Sequence, residues 1–434
     1  RQAEMSNKAS EKTVKSRLLG EEYTLIKHES GLTVCVFPKK MSVTYAIITT
    51  KFGSLDSRFR TGDGVIHQVP DGVAHFLEHK MFENPDGEDT FEKFSRTGAD
   101  ANAFTSLRDT SYVFSCTENV GESLKILLGS VFTPYFTEEN VKKEQGIIAQ
   151  EINMGDDDPG SVLFLDLMNC LYSKNGIKTD VAGTVESIMK ITPDILYECY
   201  RAFYLPGNMM LCVCGDVSAD EVAAAVSEAV PSGLPRPAVS LYPDEPEQTV
   251  KKHSERKMAV SKPLFSIGIK DTDISTLPDE RMKKSAAMRL LVSVCFGKSG
   301  DFYGELLSKG LISPSFSCWC QHNALFSFVS LSGDSEDPDR VFEEFTGYLA
   351  QITAKPLPRD DFERARRATY SRFVKGFDST EEIASGLVCG FAVDGGDIFR
   401  YAEILREITP EYAENVLRSV MKPEHCAMSV INPL

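Results

Sequence analysis

The run Ile191-Thr192-Pro193, a helix-like stretch, Pro206 and the apolar segment Met209 to Cys214 recurs later in the chain. The second copy is Ile408-Thr409-Pro410, another helix-like stretch, Pro423 and Cys426 to Ile431. The prolines stand 13 residues apart in both copies, and the copies stand 217 residues apart, half of a 434-residue chain. A chain that repeats itself at half its length is expected to fold as two similar units. Between the copies, Pro231 to Pro246 holds five prolines with Ser, Gly and Asp, a composition suited to an exposed linker. The expected division is therefore residues 1–230, a linker at 231–250, and residues 251–434.

Each half mixes two hydrophobic periods. The first alternates like a strand at Leu32 to Phe37, Thr44 to Thr50 and Tyr112 to Cys116. It has helical spacing at Val73 to Phe82, Gly121 to Phe132 and Thr137 to Met154. The second half reads the same way through Leu264 to Ile269, Ala286 to Phe296, Phe326 to Leu331, Val341 to Ile352 and Arg359 to Phe373. This order predicts α+β architecture: two homologous domains, each a mostly antiparallel sheet with helices packed on one face.

Several function classes are excluded early. With 47 Lys and Arg against 63 Asp and Glu, a net charge of -16 opposes binding to nucleic acid or to an anionic membrane. Apolar runs such as Met209 to Cys214 are far short of the ~18 residues a bilayer span requires. Arg1 to Lys15 is polar and lacks the apolar centre of a signal peptide, so a cytoplasmic protein is expected. The 11 cysteines include no C-x-x-C pair, and reduced, buried thiols are the expectation.

The sharpest local signal is His75-Phe76-Leu77-Glu78-His79, the inverted order of H-E-x-x-H. On a helix, i and i+4 share a face, so both imidazoles can reach one metal while Glu78 stands beside it. A catalytic zinc takes three protein ligands and keeps one position open. Downstream, Thr137 to Met154 reads as a helix with Thr137 near its N-cap, and Glu144 and Glu151 lie two turns apart on one face. That face could offer a third ligand and a supporting carboxylate, although glutamates at this spacing are usually a solvated stripe.

Four ordered blocks give the chain a resemblance to the pitrilysin/insulinase family of inverted zinc metallopeptidases, which includes the mitochondrial processing peptidases. The blocks are Phe52-Gly53-Ser54, Gly72 to Phe82, Gly98-Ala99-Asp100-Ala101-Asn102-Ala103-Phe104-Thr105, and Glu144 to Glu151. The resemblance implies a LuxS/MPP-like metallopeptidase fold, with His75, His79 and Glu151 as zinc ligands, Glu78 as general base and Glu144 as a carboxylate supporting the site. It also implies that Asn102, Ala103 and Phe104 lie on an exposed edge strand to which an extended peptide adds.

The second half lacks the motif. Setting Phe82 against Phe296 places Arg289, Val292 and Ser293 opposite His75, Glu78 and His79. Setting Val141 against Phe362 places Ala365 and Arg372 opposite Glu144 and Glu151. No metal can bind such a set, and in the family the metal-free half shapes a substrate chamber. Active relatives often carry an Arg and a Tyr near zinc from this half, whereas Glu305 to Phe316 contains neither.

The resemblance thus implies a half-sized zinc metalloendopeptidase of bacterial type acting on peptides or unfolded segments, with peptide maturation or leader processing as a role. It further implies a homodimer, or a heterodimer with a related half-chain lacking the zinc motif, enclosing one chamber of four domains. The alternative is a non-catalytic subunit of the same fold with a structural or chaperone role in a complex.

Overall fold

The computed structural model describes residues 10–391 and 395–434, so the first nine residues of the polar N-terminal stretch lie outside it. It forms two compact units, each made from more than one stretch of chain. The first comprises residues up to Ile152, Asp180–Tyr242 and Val374–Ile398; the second comprises Asn153–Thr179, Pro243–Phe373 and Phe399–Leu434.

The first unit carries β1 (Ser10–Ser16), β2 (Glu21–Lys27), β3 (Thr33–Pro38), β4 (Thr44–Thr50), β5 (Arg58–Arg60), β6 (Ile66–Gln68), β7 (Asp100–Thr105), β8 (Thr110–Cys116), β9 (Met209–Gly215) and β10 (Val239–Ser240). Its main sheet has seven strands in the order β1-β2-β3-β9-β4-β8-β7, and β10-β5-β6 form a small second sheet. The second unit carries β11 (His253–Met258), β12 (Leu264–Asp271), β13 (Ser317–His322), β14 (Ser327–Asp334) and β15 (Cys426–Pro433), ordered β11-β15-β12-β14-β13.

Five strands of each sheet follow one plan. The parallel pair β3 and β9 corresponds to the parallel pair β11 and β15, and antiparallel strands then continue to an edge at β7 or β13. The sequence repeat sits at the same place in both. Thr192 and Thr409 are N-caps accepting from the backbone N–H three residues on, with Pro193 and Pro410 in the first turn. Such a proline has its ring preset for the helix and lacks only an N–H that would have no partner there. Each helix leads through a short 3₁₀ turn into the buried strand β9 or β15.

Every residue of β4 and β9 is buried, which a half-exposed sheet would not produce. One face, bearing Val34, Val36, Ala46, Ile48, Leu211 and Val213, packs in the main core with helices of the first half of the chain. Helix Thr380–Cys389, from the second half of the sequence, packs on β4 and β9. Cys35, Phe37, Tyr45 and Cys212 alternate with the core set and face the opposite way.

The second unit mirrors this arrangement. Helix Pro159–Leu171, from the first half of the sequence, packs on β12 and β15. Gly268 makes room for it: a Cβ there would lie 2.7 Å from Cδ1 of Leu171. Asp157 ends the preceding helix and Asp158 caps the next by accepting from Ser161 N–H, so the Asp156 to Gly160 turn is a helix junction. Helices on one face were expected; helices cover both faces, because a segment of the other half supplies the second layer. No helix among the described residues is long and apolar enough to cross a membrane.

Candidate metal centre

The motif helix spans Val73–Lys80 and starts on Gly72, whose φ of 89° an L side chain rarely adopts. A Cβ on Gly72 would lie 2.3 Å from the Ala182 carbonyl oxygen, so glycine is required for the loop at Asp180–Gly183 to close on the helix start. That loop brings the Asp180 carboxylate close enough to influence His75. The second helix, Glu138–Asp157, turns Val141, Glu144, Ile148 and Ile152 inward while Glu151 stays half exposed.

The three expected ligands meet. Nε2 of His75 is 3.6 Å from Oε1 of Glu151, and Nε2 of His79 is 3.6 Å from Oε2 of Glu151. One donor atom from each residue falls within a 4.8 Å cluster. Two ligands of a tetrahedral zinc at about 2.0–2.1 Å would be roughly 3.4 Å apart, so a small inward adjustment of the rings completes the fit. Two imidazoles and a carboxylate also match the donor chemistry of a zinc site with an open position.

The surrounding groups orient these donors. Nδ1 of His79 pairs with Oε1 of Glu144 at 3.0 Å, and Oε2 of Glu144 accepts from Nζ of Lys80 at 3.3 Å. Lys80 has no exposed side-chain surface and also donates to Glu83 at 2.5 Å. Nδ1 of His75 is buried and has no hydrogen-bond partner among the described residues. Glu78, one residue before His79 and buried, accepts from the Thr105 hydroxyl at 2.8 Å.

The protonation states follow from this packing. Burial, with His79 beside it, pulls the His75 imidazole down to about 4, leaving its lone pair available at neutral pH. Burial also pulls on His79, but the hydrogen bond to Glu144 and the carboxylates of Glu78, Glu144 and Glu151 outweigh it and raise the ring. For Glu144, burial is outweighed by His79 and Lys80, which hold the carboxyl below its ordinary value. Glu78 is pushed up by burial, with Glu151 adding to the effect and Thr105 and His79 opposing it.

Asn102, Ala103 and Phe104 lie on β7, the edge of the seven-stranded sheet, with Asn102 and Phe104 exposed. The Ala103 N–H is satisfied by the Asn102 side-chain oxygen at 2.8 Å instead of by a neighbouring strand. Thr105 ends this strand, so one element joins the free sheet edge to Glu78. In sequence, Ala101, Ala103 and Thr105 alternate to give one small-residue face, but nothing there ties Thr105 to Glu78 or gives a role to Lys80 or Asp180. The small residues at 101, 103 and 105 were the signal for close approach, whereas nothing in a lysine following the motif announces burial.

Comparisons with known proteins identify the family. Residues 64–185 match Insulinase (Peptidase family M16), and residues 190–369 match Peptidase M16 inactive domain. A Bacillus subtilis (strain 168) protein named Uncharacterized zinc protease YmfH is 38% identical over 94% of this chain and 96% of its own. The crystal structure of an M16-like peptidase from Alicyclobacillus acidocaldarius superposes with a TM-score of 0.89 at 31% identity, covering 100% of both chains. Pitrilysin shares the fold at 15% identity with a TM-score of 0.73, over 98% of this chain and 47% of its own. With both family domains in order and a relative matched almost end to end, the chain belongs to the insulinase (M16) family of peptidases.

Proposed function

We propose that the protein is a zinc metalloendopeptidase that cleaves peptides or unfolded segments, with His75, His79 and Glu151 as zinc ligands. One observation carries the reading: three donor side chains converge within 4.8 Å next to a buried glutamate of the same helix. When bound, zinc supplies Lewis-acid activation of water and of the substrate carbonyl.

The chain's own residues do the rest. Glu78 removes the proton of the attacking water and returns it to the leaving amine, and its raised affinity for protons suits a group that must take one up near neutral pH. Thr105 aims the carboxylate, and Glu144 fixes the His79 ring through Nδ1. An extended substrate adds to β7 along Asn102, Ala103 and Phe104, displacing the Asn102 oxygen from the Ala103 N–H. Maturation of peptides or removal of leader segments suits this mode of binding.

The active assembly in this reading is a dimer, with itself or with a half-chain lacking the zinc motif. In support, the chain spans 47% of pitrilysin, so two such chains have the extent of one. Wild-type protein incubated with a diverse peptide library, with and without a zinc chelator, tests the reading by mass spectrometry. Chelator-sensitive cleavage is expected, and cleavage that persists without metal, or none at all, refutes it.

A further inference from the structure

The second unit contains a cavity of about 490 Å³ at the place that corresponds to the metal centre of the first. Helices Pro278–Phe296 and Arg359–Lys375 and the edge strand β13 take the positions held by the motif helix, helix Glu138–Asp157 and β7. Its lining includes Arg289, Val292, Ser293, Trp319, Arg372 and Tyr401. By the alignment of the halves, Arg289 replaces His75 and Arg372 replaces Glu151. The duplication has kept the concavity and changed its chemistry from metal donors to two permanent cations.

These two arginines differ from others of the same unit. Arg256 is paired bidentately with Asp166 at 2.6 Å, and Arg400 meets Asp279, Glu403 and Glu407. Among the described residues no carboxylate pairs with Arg289 or Arg372, although the chain carries an acidic excess. Arg289 instead lies over the Tyr401 ring, 6.0 Å from its centroid, which limits the directions its guanidinium can take. Beside both runs β13, an edge strand whose outer hydrogen-bonding side pairs with no strand among the described residues.

We propose that this cavity is a carboxylate-binding subsite: an extended peptide segment pairs with the β13 edge and places a carboxylate between Arg289 and Arg372. Planar guanidiniums match a carboxylate in paired hydrogen bonds, and the unpaired strand edge supplies backbone donors and acceptors. The carboxylate is that of a free C-terminus or of an acidic side chain. The inference does not depend on hydrolysis, since binding is read in metal-free protein.

The test uses the full chain stripped of zinc and a set of peptides of one extended, Trp-free sequence. One ends in a free carboxylate, one in an amide, and two further amides carry a single internal Glu or Gln. Trp319 is the chain's single tryptophan and lines the cavity, so its fluorescence follows occupancy, with calorimetry as an independent readout. The free-carboxylate or the Glu peptide is expected to bind roughly tenfold or more tightly than its uncharged counterpart, as charge-assisted hydrogen bonds require. Which of the two gains identifies the source. Arg289→Gln/Arg372→Gln should erase that preference while leaving binding of the neutral amide in place, and Arg372→Lys should keep part of it. Equal binding of charged and uncharged peptides by the wild type, or an undiminished preference in the double variant, overturns the proposal.

Discussion

Nδ1 of His79 lies 3.0 Å from Oε1 of Glu144, and the other oxygen of that carboxylate lies 3.3 Å from Nζ of the fully buried Lys80. A buried ammonium thus holds the carboxylate that holds the imidazole. The relay sets which ring nitrogen of His79 faces the cluster, since Nδ1 is engaged by Glu144 and Nε2 is left facing Glu151.

Glu144→Gln should therefore weaken zinc binding by about 10- to 100-fold without unfolding the protein. Competition against a chromogenic chelator measures this. An unchanged affinity would show that Glu144 does not orient His79.

Thr105→Val removes the hydroxyl that donates to Glu78 at 2.8 Å and nearly preserves volume. A hydrogen bond to a charged group contributes about 1.5–3 kcal/mol, so kcat on a good peptide should fall roughly tenfold or more. Zinc content should stay the same. A variant with wild-type kcat would remove Thr105 from the account.

Gly268→Val probes the second layer of the second unit. Its side chain would press on Leu171, where even a Cβ comes within 2.7 Å of Cδ1. Overpacking of this kind costs about 1–3 kcal/mol, to be read as a lower denaturation midpoint. A variant as stable as wild type would mean that helix Pro159–Leu171 does not pack tightly there.

Asp271 provides a pH dependence. Its carboxylate is 3.0 Å from Lys284 Nζ, and it accepts from the Ser327 hydroxyl at 2.7 Å, with His322 Nδ1 at 3.5 Å. Burial pushes the carboxyl up, but His322, Lys284 and Ser327 outweigh burial and hold it below the ordinary 3.8. With the folded value below the unfolded one, its contribution is complete above the ordinary carboxylate range and is lost as pH falls through the folded value. Breaking a buried pair costs about 3 kcal/mol or more at neutral pH, so the stability gap between wild type and Asp271→Asn should start there and shrink in acid. A gap independent of pH would contradict the assignment.

Much of this was legible in the chain. The Ile-Thr-Pro repeat marks the same helix and strand in both sheets because a Thr cap, a first-turn proline and a buried strand are local devices. The i, i+4 histidines announce a shared helical face, whereas the approach of Glu144 and Glu151 to it was implied only by the family resemblance, since a two-turn spacing of glutamates by itself more often marks a solvated stripe. The exchanged helices were not legible. Periodicity shows that Pro159–Leu171 and Thr380–Cys389 bury one face, but it carries no information about which half's sheet receives that face. Lys80 escaped for a related reason, since a lysine's burial depends on partners 64 residues away in sequence.

The most direct test of the central claim compares peptide cleavage by zinc-loaded wild type and zinc-loaded Glu78→Gln on one substrate. Equal zinc content, near one per chain, is expected, with a loss of about 10²-fold or more in kcat for the variant, because an amide cannot take the proton of water. Cleavage by zinc-loaded Glu78→Gln at the wild-type rate would contradict it.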